Sequence, residues 1–225
     1  MELNASIKYL KGVGEKRAAM LGKLGICTLW DLLTFYPRVY EDWSNILSIK
    51  DSPLDENVCI KAIVGTRVRE HKIRKGMTLY KTEITDGENI IDLTFFNNKY
   101  AAEKLEQGKE YLFFGKITGK GYYRQMNSPE FTEFDGEGKM RPIYPQTAGM
   151  NSRAIEKLIK TAFDVCDKIP DPIPRNIRDS YCLMDIESAL KNIHFPESDD
   201  MMSEARRRLI FEELFLLELG LLRLK

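Results

Sequence analysis

The chain has 225 residues, enough for one large domain or two smaller ones, each with its own hydrophobic core. A hydrophobic share of 43% and a charged share of 30% are ordinary for a folded protein and exclude a wholly disordered chain. Lys and Arg total 34, as do Asp and Glu, so no net charge draws the whole chain to nucleic acid. Any binding surface must come from local clustering.

The cysteines and the N-terminus exclude several further classes of protein. Cys27, Cys59, Cys166 and Cys182 are far apart and include no CxxC pair, which predicts buried or partly buried thiols in a reducing compartment. The N-terminus lacks the features of a signal peptide, and no apolar run is long enough for a membrane helix. We therefore expect a cytoplasmic protein without a metal ion and without membrane contact.

The first segment, residues 1–56, predicts short helices. Apolar residues recur at helical spacing from Leu10 to Leu24, and Gly25 follows as a stop. Thr28 then predicts the N-cap of a helix from Leu29 to Phe35, just before a proline.

Within this segment the run KGVGEK resembles a helix-hairpin-helix element of DNA-binding proteins. Gly12 and Gly14 allow a tight turn whose backbone N–H groups can meet a phosphate at a helix N-terminus, with Lys16 beside them. A plain turn between two packed helices would give the same pattern, so both interpretations stay open.

The second segment, residues 57–145, changes to the period of β-strands. Asp86-Gly87 predicts a hairpin turn between the second and third strands, and a short helix from Lys99 to Leu105 follows the third. The predicted strands are Val58–Gly65, Thr78–Thr85, Ile90–Phe96, Tyr111–Ile117 and Tyr122–Met126.

Three strands, a helix and two more strands are the order of an OB-fold, a small five-stranded barrel. Gly65 and Gly115 lie inside strands, where such a barrel must bend sharply. The segment is also the only net positive one, with 15 basic and 12 acidic residues. The predicted fold class is α+β, an OB-fold barrel flanked by N-terminal and C-terminal helical regions; an open β-sandwich is the alternative.

The third segment, residues 146–225, predicts helices. Ser152 is a candidate N-cap, a proline-rich stretch interrupts the helical pattern, and Asp185 to Ile193 forms a short helix. The final helix begins near Met201 and continues to the end of the chain, so we expect a linker that leads towards a further domain. Its apolar stripe consists of Ile210, Leu214, Leu217, Leu221 and Leu224.

A cluster of basic residues lies between the first two predicted barrel strands. In OB-folds the loop at this position flanks the nucleic-acid face, so the cluster predicts phosphate contacts, which are salt-dependent and independent of sequence. A solvated loop is the alternative. The basic residues are Arg67, Arg69, Lys72, Arg74 and Lys75.

The hexapeptide from Phe95 to Tyr100 is the segment that is most informative about function. Adjacent residues of a strand point to opposite faces, so Phe95 is expected in the core and Phe96 outside it. Tyr100 begins the next helix, with Lys99 beside it. We predict that Phe96 and Tyr100 stack on bases, at roughly 1–3 kcal/mol per base, and that Lys99 contacts phosphate. Packing of Phe96 beneath a neighbouring helix is the alternative.

No catalytic set is recognisable. The glycine and lysine spacings do not match GxxxxGK[ST], the loop that cradles nucleotide phosphates, and no Ser-His-Asp or Cys-His arrangement is suggested. We expect neither enzymatic activity nor a cofactor in this chain.

Together these motifs resemble the N-terminal part of RecG-like DNA helicases. The Asn127-Ser128 segment departs from the His-Pro-Glu form of that family. The matching pieces follow the family order: Leu10-Lys11-Gly12-Val13-Gly14, Tyr36-Pro37-Arg38-Val39-Tyr40, Phe95-Phe96-Asn97, Pro142-Ile143-Tyr144-Pro145, Ile193-His194-Phe195-Pro196 and Ala205-Arg206-Arg207-Arg208.

The resemblance implies a wedge domain that separates strands at a replication fork or Holliday junction, with Phe96 and Tyr100 matching an F-x-x-x-Y stacking pair. It implies that the parent protein is an ATP-dependent helicase of recombination and repair, which uses ATP and Mg²⁺ in domains that this chain lacks. The implied partners are branched DNA, those helicase domains and a single-strand-binding protein. Two alternatives remain: a stand-alone OB module for single-stranded nucleic acid, and an interaction domain that docks a single-strand-binding protein.

Overall fold

A computed structural model describes residues 1–120, 123–136 and 138–224. A 3₁₀ turn at Ile7–Tyr9 comes first. The described helices are α1 Glu15–Gly22, α2 Leu29–Leu33, α3 Lys99–Lys104, α4 Ser152–Val165, α5 Arg175–Ser180, α6 Ile186–His194 and α7 Asp199–Arg223. The described strands are β1 Val39–Asp42, β2 Ile46–Leu47, β3 Asn57–Val64, β4 Arg69–Arg74, β5 Met77–Thr85, β6 Ile90–Phe96, β7 Glu110–Lys120, β8 Tyr123–Asn127, β9 Glu130–Glu133 and β10 Met140–Ile143.

The chain forms two compact units. The helical unit consists of Met1–Glu41 and Met140–Lys225, and the barrel unit consists of Asp42–Lys139. This differs from the three consecutive segments that the sequence predicts, because the two ends of the chain fold together. β1 pairs with β10, and α2 packs against α4.

Five of the described strands close the barrel. β3 pairs with β5, β5 with β6, β6 with β8 and β8 with β7, and β7 returns to β3. All of these pairs are antiparallel except β6 with β8. In chain order α3 separates β6 from β7, as in an OB-fold. The predicted α+β class with a five-stranded OB barrel is confirmed. Tyr122, in the last predicted strand, lies outside the described residues.

The two-residue period of the strands builds the barrel core. On β6, Ile91, Leu93 and Phe95 are fully buried. On β5, Tyr80, Thr82 and Ile84 are buried, while Lys81 and Glu83 between them are exposed. The core side of each strand is therefore fixed by local alternation, and the other side is left for contacts outside the barrel.

The helical unit has a core shared by both ends of the chain. Leu29 and Leu32 of α2 belong to the same buried cluster as Ile155 of α4, Leu190 of α6 and Leu209 of α7. None of these short helices could bury its apolar face alone, which explains why residues far apart in sequence form one unit.

Local hydrogen bonds define where α2 begins. Thr28 caps it as predicted, in a capping box in which the Thr28 hydroxyl accepts from the Asp31 N–H and the Asp31 carboxylate accepts from the Thr28 N–H. The helix ends at Leu33 rather than at Phe35. The following residues of the predicted helical segment form β1 and β2, and β2 pairs in parallel with β3.

The predicted cap of α4 is wrong by one residue. Asn151 is the N-cap, and its side chain accepts from the Ala154 N–H at 2.9 Å. Ser152 is buried instead, where its hydroxyl accepts from the Tyr144 N–H and donates to the Pro142 carbonyl. A buried hydroxyl needs hydrogen-bond partners, and Ser152 has them in the backbone of Tyr144 and Pro142, so it does not cap the helix.

The cysteines are free thiols, and all four lie within the described ranges. Burial raises the pKa of Cys59 to about 12. Cys27 and Cys182 are exposed, which corrects the expectation that every thiol is at least partly buried; both lie in connections next to short helices. Within the described residues there is no group of three or more His, Cys, Asp or Glu side chains that could hold a metal ion.

The last helix, α7, exposes much of its apolar surface. The predicted stripe is on one face, and its five members are between 50% and 85% exposed. Even so, no helix in the described part of the chain has the combined length and hydropathy that crossing a membrane requires.

Candidate nucleic-acid interface

Strand β6 ends in a pair of aromatic residues that point to opposite faces. Phe95 is fully buried and packs edge-on against Phe131, with 5.9 Å between ring centroids. Phe96 is 46% exposed. The orientation predicted from strand alternation is therefore confirmed, and one face of Phe96 is accessible to a ligand.

Two asparagines fix the step from β6 into α3. Asn97 has a φ of 51°, a left-handed conformation that Asn adopts more readily than most residues. Its Oδ1 accepts from the Thr78 N–H at 2.7 Å, and its Nδ2 donates to the Gly76 carbonyl at 3.0 Å. Asn98 caps α3 by accepting from the Ala101 N–H at 3.1 Å. Both side chains hold the start of the helix beside the end of the strand.

Tyr100 occupies the second position of α3 and is 58% exposed. Two exposed rings therefore lie four residues apart, one at the end of β6 and the other in the first turn of α3. Lys99 Nζ lies 3.3 Å from Glu103 Oε1, and both side chains are mostly exposed. An exposed ion pair of this kind contributes less than about 1 kcal/mol, so a phosphate can compete for Lys99.

The basic cluster forms a strand rather than the predicted loop. Gly76, with a φ of 82°, makes the tight turn that folds β4 back onto β5. Arg69 stands opposite Lys81. All of β4 is exposed, and Arg67 and Lys75 flank it in exposed positions. The arrangement gives the hairpin one exposed edge strand, β4, that is rich in positive charge, although charged residues also protect an edge strand from unwanted pairing.

Net charge does not distinguish the barrel unit. Between Asp42 and Lys139 the sequence has 15 Lys and Arg against 16 Asp and Glu. The positive balance of the predicted middle segment therefore depends on where that segment is taken to begin, because residues 42–56 add four acidic residues and one basic residue. Attraction for phosphate must come from the hairpin, where six basic residues between Arg67 and Lys81 face one acidic residue.

Sequence reasoning missed the neighbour of Phe96. The segment Asn127-Ser128 departs from the family form and lies beside the end of β6. The Ser128 N–H donates to the Thr94 carbonyl at 2.8 Å, and the Ser128 hydroxyl is 3.5 Å from the Phe96 N–H nitrogen. No local pattern could reveal this contact, because 32 residues separate Ser128 from Phe96.

The glycine turn near the N-terminus has the predicted shape. Gly12 has a φ of 90°, and its carbonyl accepts from Arg17 Nη1 at 2.7 Å. Gly14 is the extended N-cap of α1, without a side-chain cap, and Lys16 is exposed. Glu15 places a negative charge in the first turn, where it opposes a phosphate. Phosphate contact at Gly12, Gly14 and Lys16 stays a prediction.

The fold and the site define a class of protein: an OB-fold module with an exposed aromatic pair beside a basic hairpin. The family described as RecG wedge domain matches residues 6–166. The chain belongs to the RecG wedge domain family, and the resemblance noted from the sequence is confirmed.

Similar proteins cover nearly all of the chain. The ATP-dependent DNA helicase RecG of Thermotoga maritima is 32% identical over 98% of this chain and 29% of its own length. RecG of Streptococcus pneumoniae is 31% identical over 100% of this chain and 33% of its own length. A solved structure of RecG bound to a three-way DNA junction matches with a TM-score of 0.87 and 31% identity, over 98% of this chain and 31% of that chain. The chain thus spans about a third of the length of these relatives.

Proposed function

We propose that this chain is the part of a RecG-type DNA helicase that binds the branch point of forked or Holliday-junction DNA and stacks on the bases freed there. One observation carries the proposal. Two exposed rings, Phe96 and Tyr100, stand on either side of Asn97 and Asn98, whose hydrogen bonds fix the step from β6 into α3. The similarity to RecG bound to a three-way DNA junction supports it.

The physical role of the rings follows from base stacking. A base that leaves a duplex loses its stacked neighbour, and an aromatic ring that takes the neighbour's place returns roughly 1–3 kcal/mol. Because a closed barrel and two asparagine side chains hold the rings, little order has to be created on binding. Phe96 and Tyr100 would thus favour a branch, where bases are exposed, over a continuous duplex.

The basic hairpin would supply affinity without sequence preference. Arg67, Arg69, Lys72, Arg74 and Lys75 are exposed around β4, and each phosphate that they neutralise releases counterions. Lys99 would join them by exchanging Glu103 for a phosphate. Binding should therefore weaken steeply with salt, while the preference for a branch should remain.

The activity of the longer protein is also part of this proposal. We infer an ATP-dependent DNA helicase of recombination and repair that works in the cytoplasm. The present sequence has no GxxxxGK[ST] loop, so it does not fit ATP and Mg²⁺, which would bind in the helicase domains of the same protein. Those domains, branched DNA and a single-strand-binding protein are the proposed partners.

Binding to a labelled three-way junction tests the stacking role. The double variant Phe96→Ala with Tyr100→Ala should bind the junction at least about fivefold more weakly than the parent chain, while binding to plain duplex changes little. Tyr9→Ala, which removes an exposed ring in the helical unit, should have no effect. Equal junction binding by the double variant and the parent chain would refute the proposal, and tighter binding to unbranched single strands would favour a stand-alone OB module instead.

A further inference from the structure

The outer face of the barrel unit carries a groove of about 180 Å³, lined by residues of β6 that lie on the same face as Phe96. Strands β4, β5, β6 and β8 contribute to it. The predicted contacts of Phe96 and Tyr100 do not use this groove. The side chains that give it its chemistry are Arg69, His71, Lys81, Asp92, Thr94 and Tyr123.

Strand register places the groove in line with Phe96. Alternate residues of β6 face the same side, so Phe96, Thr94 and Asp92 follow one another along the outer face. Lys81 stands opposite Thr94, and Arg69 stands opposite Lys81. From Phe96 to Asp92 the strand advances about 13 Å, at about 3.3 Å per residue. The groove therefore begins at Thr94, two residues along β6 from Phe96, and continues across the sheet.

A second aromatic ring closes the far end of this path. Tyr123, the first residue of β8, is 59% exposed, and its hydroxyl is hydrogen-bonded to the Asp92 carboxylate. Ile90 follows Asp92 on the same face of β6 and is 61% exposed. This end combines an accessible ring, an apolar side chain and a carboxylate.

The two ends of the groove suit different parts of a nucleotide. Arg69 and Lys81 can neutralise phosphates near Phe96, whereas Glu83 and Asp92 would repel phosphates at the other end. A base suits that end better, because Tyr123 can stack on its face and a carboxylate can accept from an exocyclic amino group, as it does from cytosine N4. A duplex would not expose base faces to the ring, so the ligand must be single-stranded.

We propose that this groove receives one unpaired strand as it leaves the branch, with Phe96 just before the groove and Tyr123 as a third stacking ring at its far end. The inference rests on the proposed function, since it takes the strand from the branch at Phe96. OB-folds commonly bind oligonucleotides on the face of their second and third strands, which are β5 and β6 here. Asp92 adds a preference for bases that carry an exocyclic amino group.

The test compares two DNA junctions that differ only in one arm. The first is a three-way junction with three duplex arms, and the second has a single-stranded oligocytidine arm in place of one of them. We expect the 225-residue chain to bind the second more tightly. Tyr123→Ala should reduce that binding at least about fivefold and leave binding to the all-duplex junction unchanged. Tyr123→Phe, which keeps the ring and loses the hydroxyl, should behave like the parent chain.

Two further variants probe the ends of the groove separately. Lys81→Gln should reduce the slope of log affinity against log salt by about 0.7 more for the junction with the single-stranded arm than for the all-duplex junction. Asp92→Asn should reduce the preference for an oligocytidine arm over an oligothymidine arm. An unchanged preference would show that Asp92 does not contribute to base recognition.

The outcomes separate this inference from the proposed function. If Tyr123→Ala binds both junctions like the parent chain while the Phe96 and Tyr100 double variant loses junction binding, the groove does not hold the strand and the branch site stands. If the double variant binds like the parent chain, the branch site itself is wrong. Circular dichroism of each variant checks that the fold is retained, which an exposed position such as Tyr123 should allow.

Discussion

One group of aromatic residues in the helical unit and one in the barrel unit have opposite surroundings. In the helical unit, His194 is fully buried; its Nε2–H donates to the Leu33 carbonyl at 2.8 Å, and its Nδ1 accepts from the Tyr144 hydroxyl at 2.8 Å. In the barrel unit, Phe96 and Tyr100 are about half exposed. The polar atoms of His194 and Tyr144 have hydrogen-bond partners within the protein, whereas the exposed rings of Phe96 and Tyr100 have faces that a base can cover.

Two arginines show the same contrast between a buried and an exposed side chain. Arg208 of α7 is fully buried and pairs with Asp171 at 2.8 Å and with Glu212 at 2.7 Å. Arg69 of β4 is exposed and stands opposite another cation, Lys81. Residue type alone therefore does not indicate a binding role. A role in binding is indicated where the fold leaves such groups facing solvent with like charges beside them.

The largest expected effect is on the buried ion cluster. Arg208→Ala should lower the free energy of unfolding of the helical unit by about 3–5 kcal/mol, because Glu212 and Asp171 lose a buried cation. Urea unfolding followed by the fluorescence of Trp30, in a Trp43→Phe background, measures this unit. Arg207→Ala removes the neighbouring, half-exposed arginine and should cost less than about 1 kcal/mol. Equal costs for the two variants would contradict the contrast between buried and exposed charges.

A pH titration tests the buried ring cluster. Burial lowers the folded-state pKa of His194 to about 4, partly opposed by its bond to the Leu33 carbonyl. The unfolded chain binds a proton near pH 6.5, so the unfolded state holds more protons between the two values. Stability of the helical unit should be full above about pH 6.5 and fall by about 3 kcal/mol as the pH drops to about 4. His71→Gln, in the barrel unit, should leave this profile unchanged; a flat profile in the parent chain would show that His194 is not buried as a neutral ring.

A smaller effect is expected from the turn that carries the exposed rings. Asn97→Ala should destabilise the barrel unit by about 1–2 kcal/mol, because it removes two hydrogen bonds and leaves a residue less suited to a φ of 51°. The fluorescence of Trp43 measures that unit, in a Trp30→Phe background. Junction affinity should fall as well, since the spacing of the rings loosens. Asn97→Gly removes the same two hydrogen bonds, but glycine adopts a φ of 51° without strain. If this variant binds the junction as tightly as the parent chain, the side-chain hydrogen bonds of Asn97 do not hold the rings.

The smallest change in stability is expected on the exposed hairpin. Arg74→Gln should reduce the slope of log junction affinity against log salt by about 0.9 and change stability by less than about 0.5 kcal/mol. Arg175→Gln, an equivalent change at an exposed position of the helical unit, should alter neither. A salt slope that drops equally for both variants would mean that phosphate contacts are not confined to the hairpin.

Much of the barrel could be predicted because its signals are local. The alternation of β6 assigns Phe95 to the core and Phe96 to the outside without knowledge of any other strand. The turn at Asp86-Gly87 and the helix between β6 and β7 then order the strands as an OB-fold. Thr28 was predicted as a cap for the same reason, since its partner, Asp31, is three residues away.

Contacts between distant residues were decided only by the tertiary structure. The basic segment that was expected to be a loop is a strand because it pairs with β5. Ser152 is not the cap of α4 because its hydroxyl is hydrogen-bonded to the backbone of Tyr144. The placement of Ser128 beside Phe96 and of Tyr123 beside Asp92 depends on which strands become neighbours when the barrel closes. The face of β6 that carries the exposed ring can be identified from its residues alone, because a strand's period is a local property. Closure of the barrel decided what lies next to that ring, because it pairs strands whose register no single stretch of sequence contains.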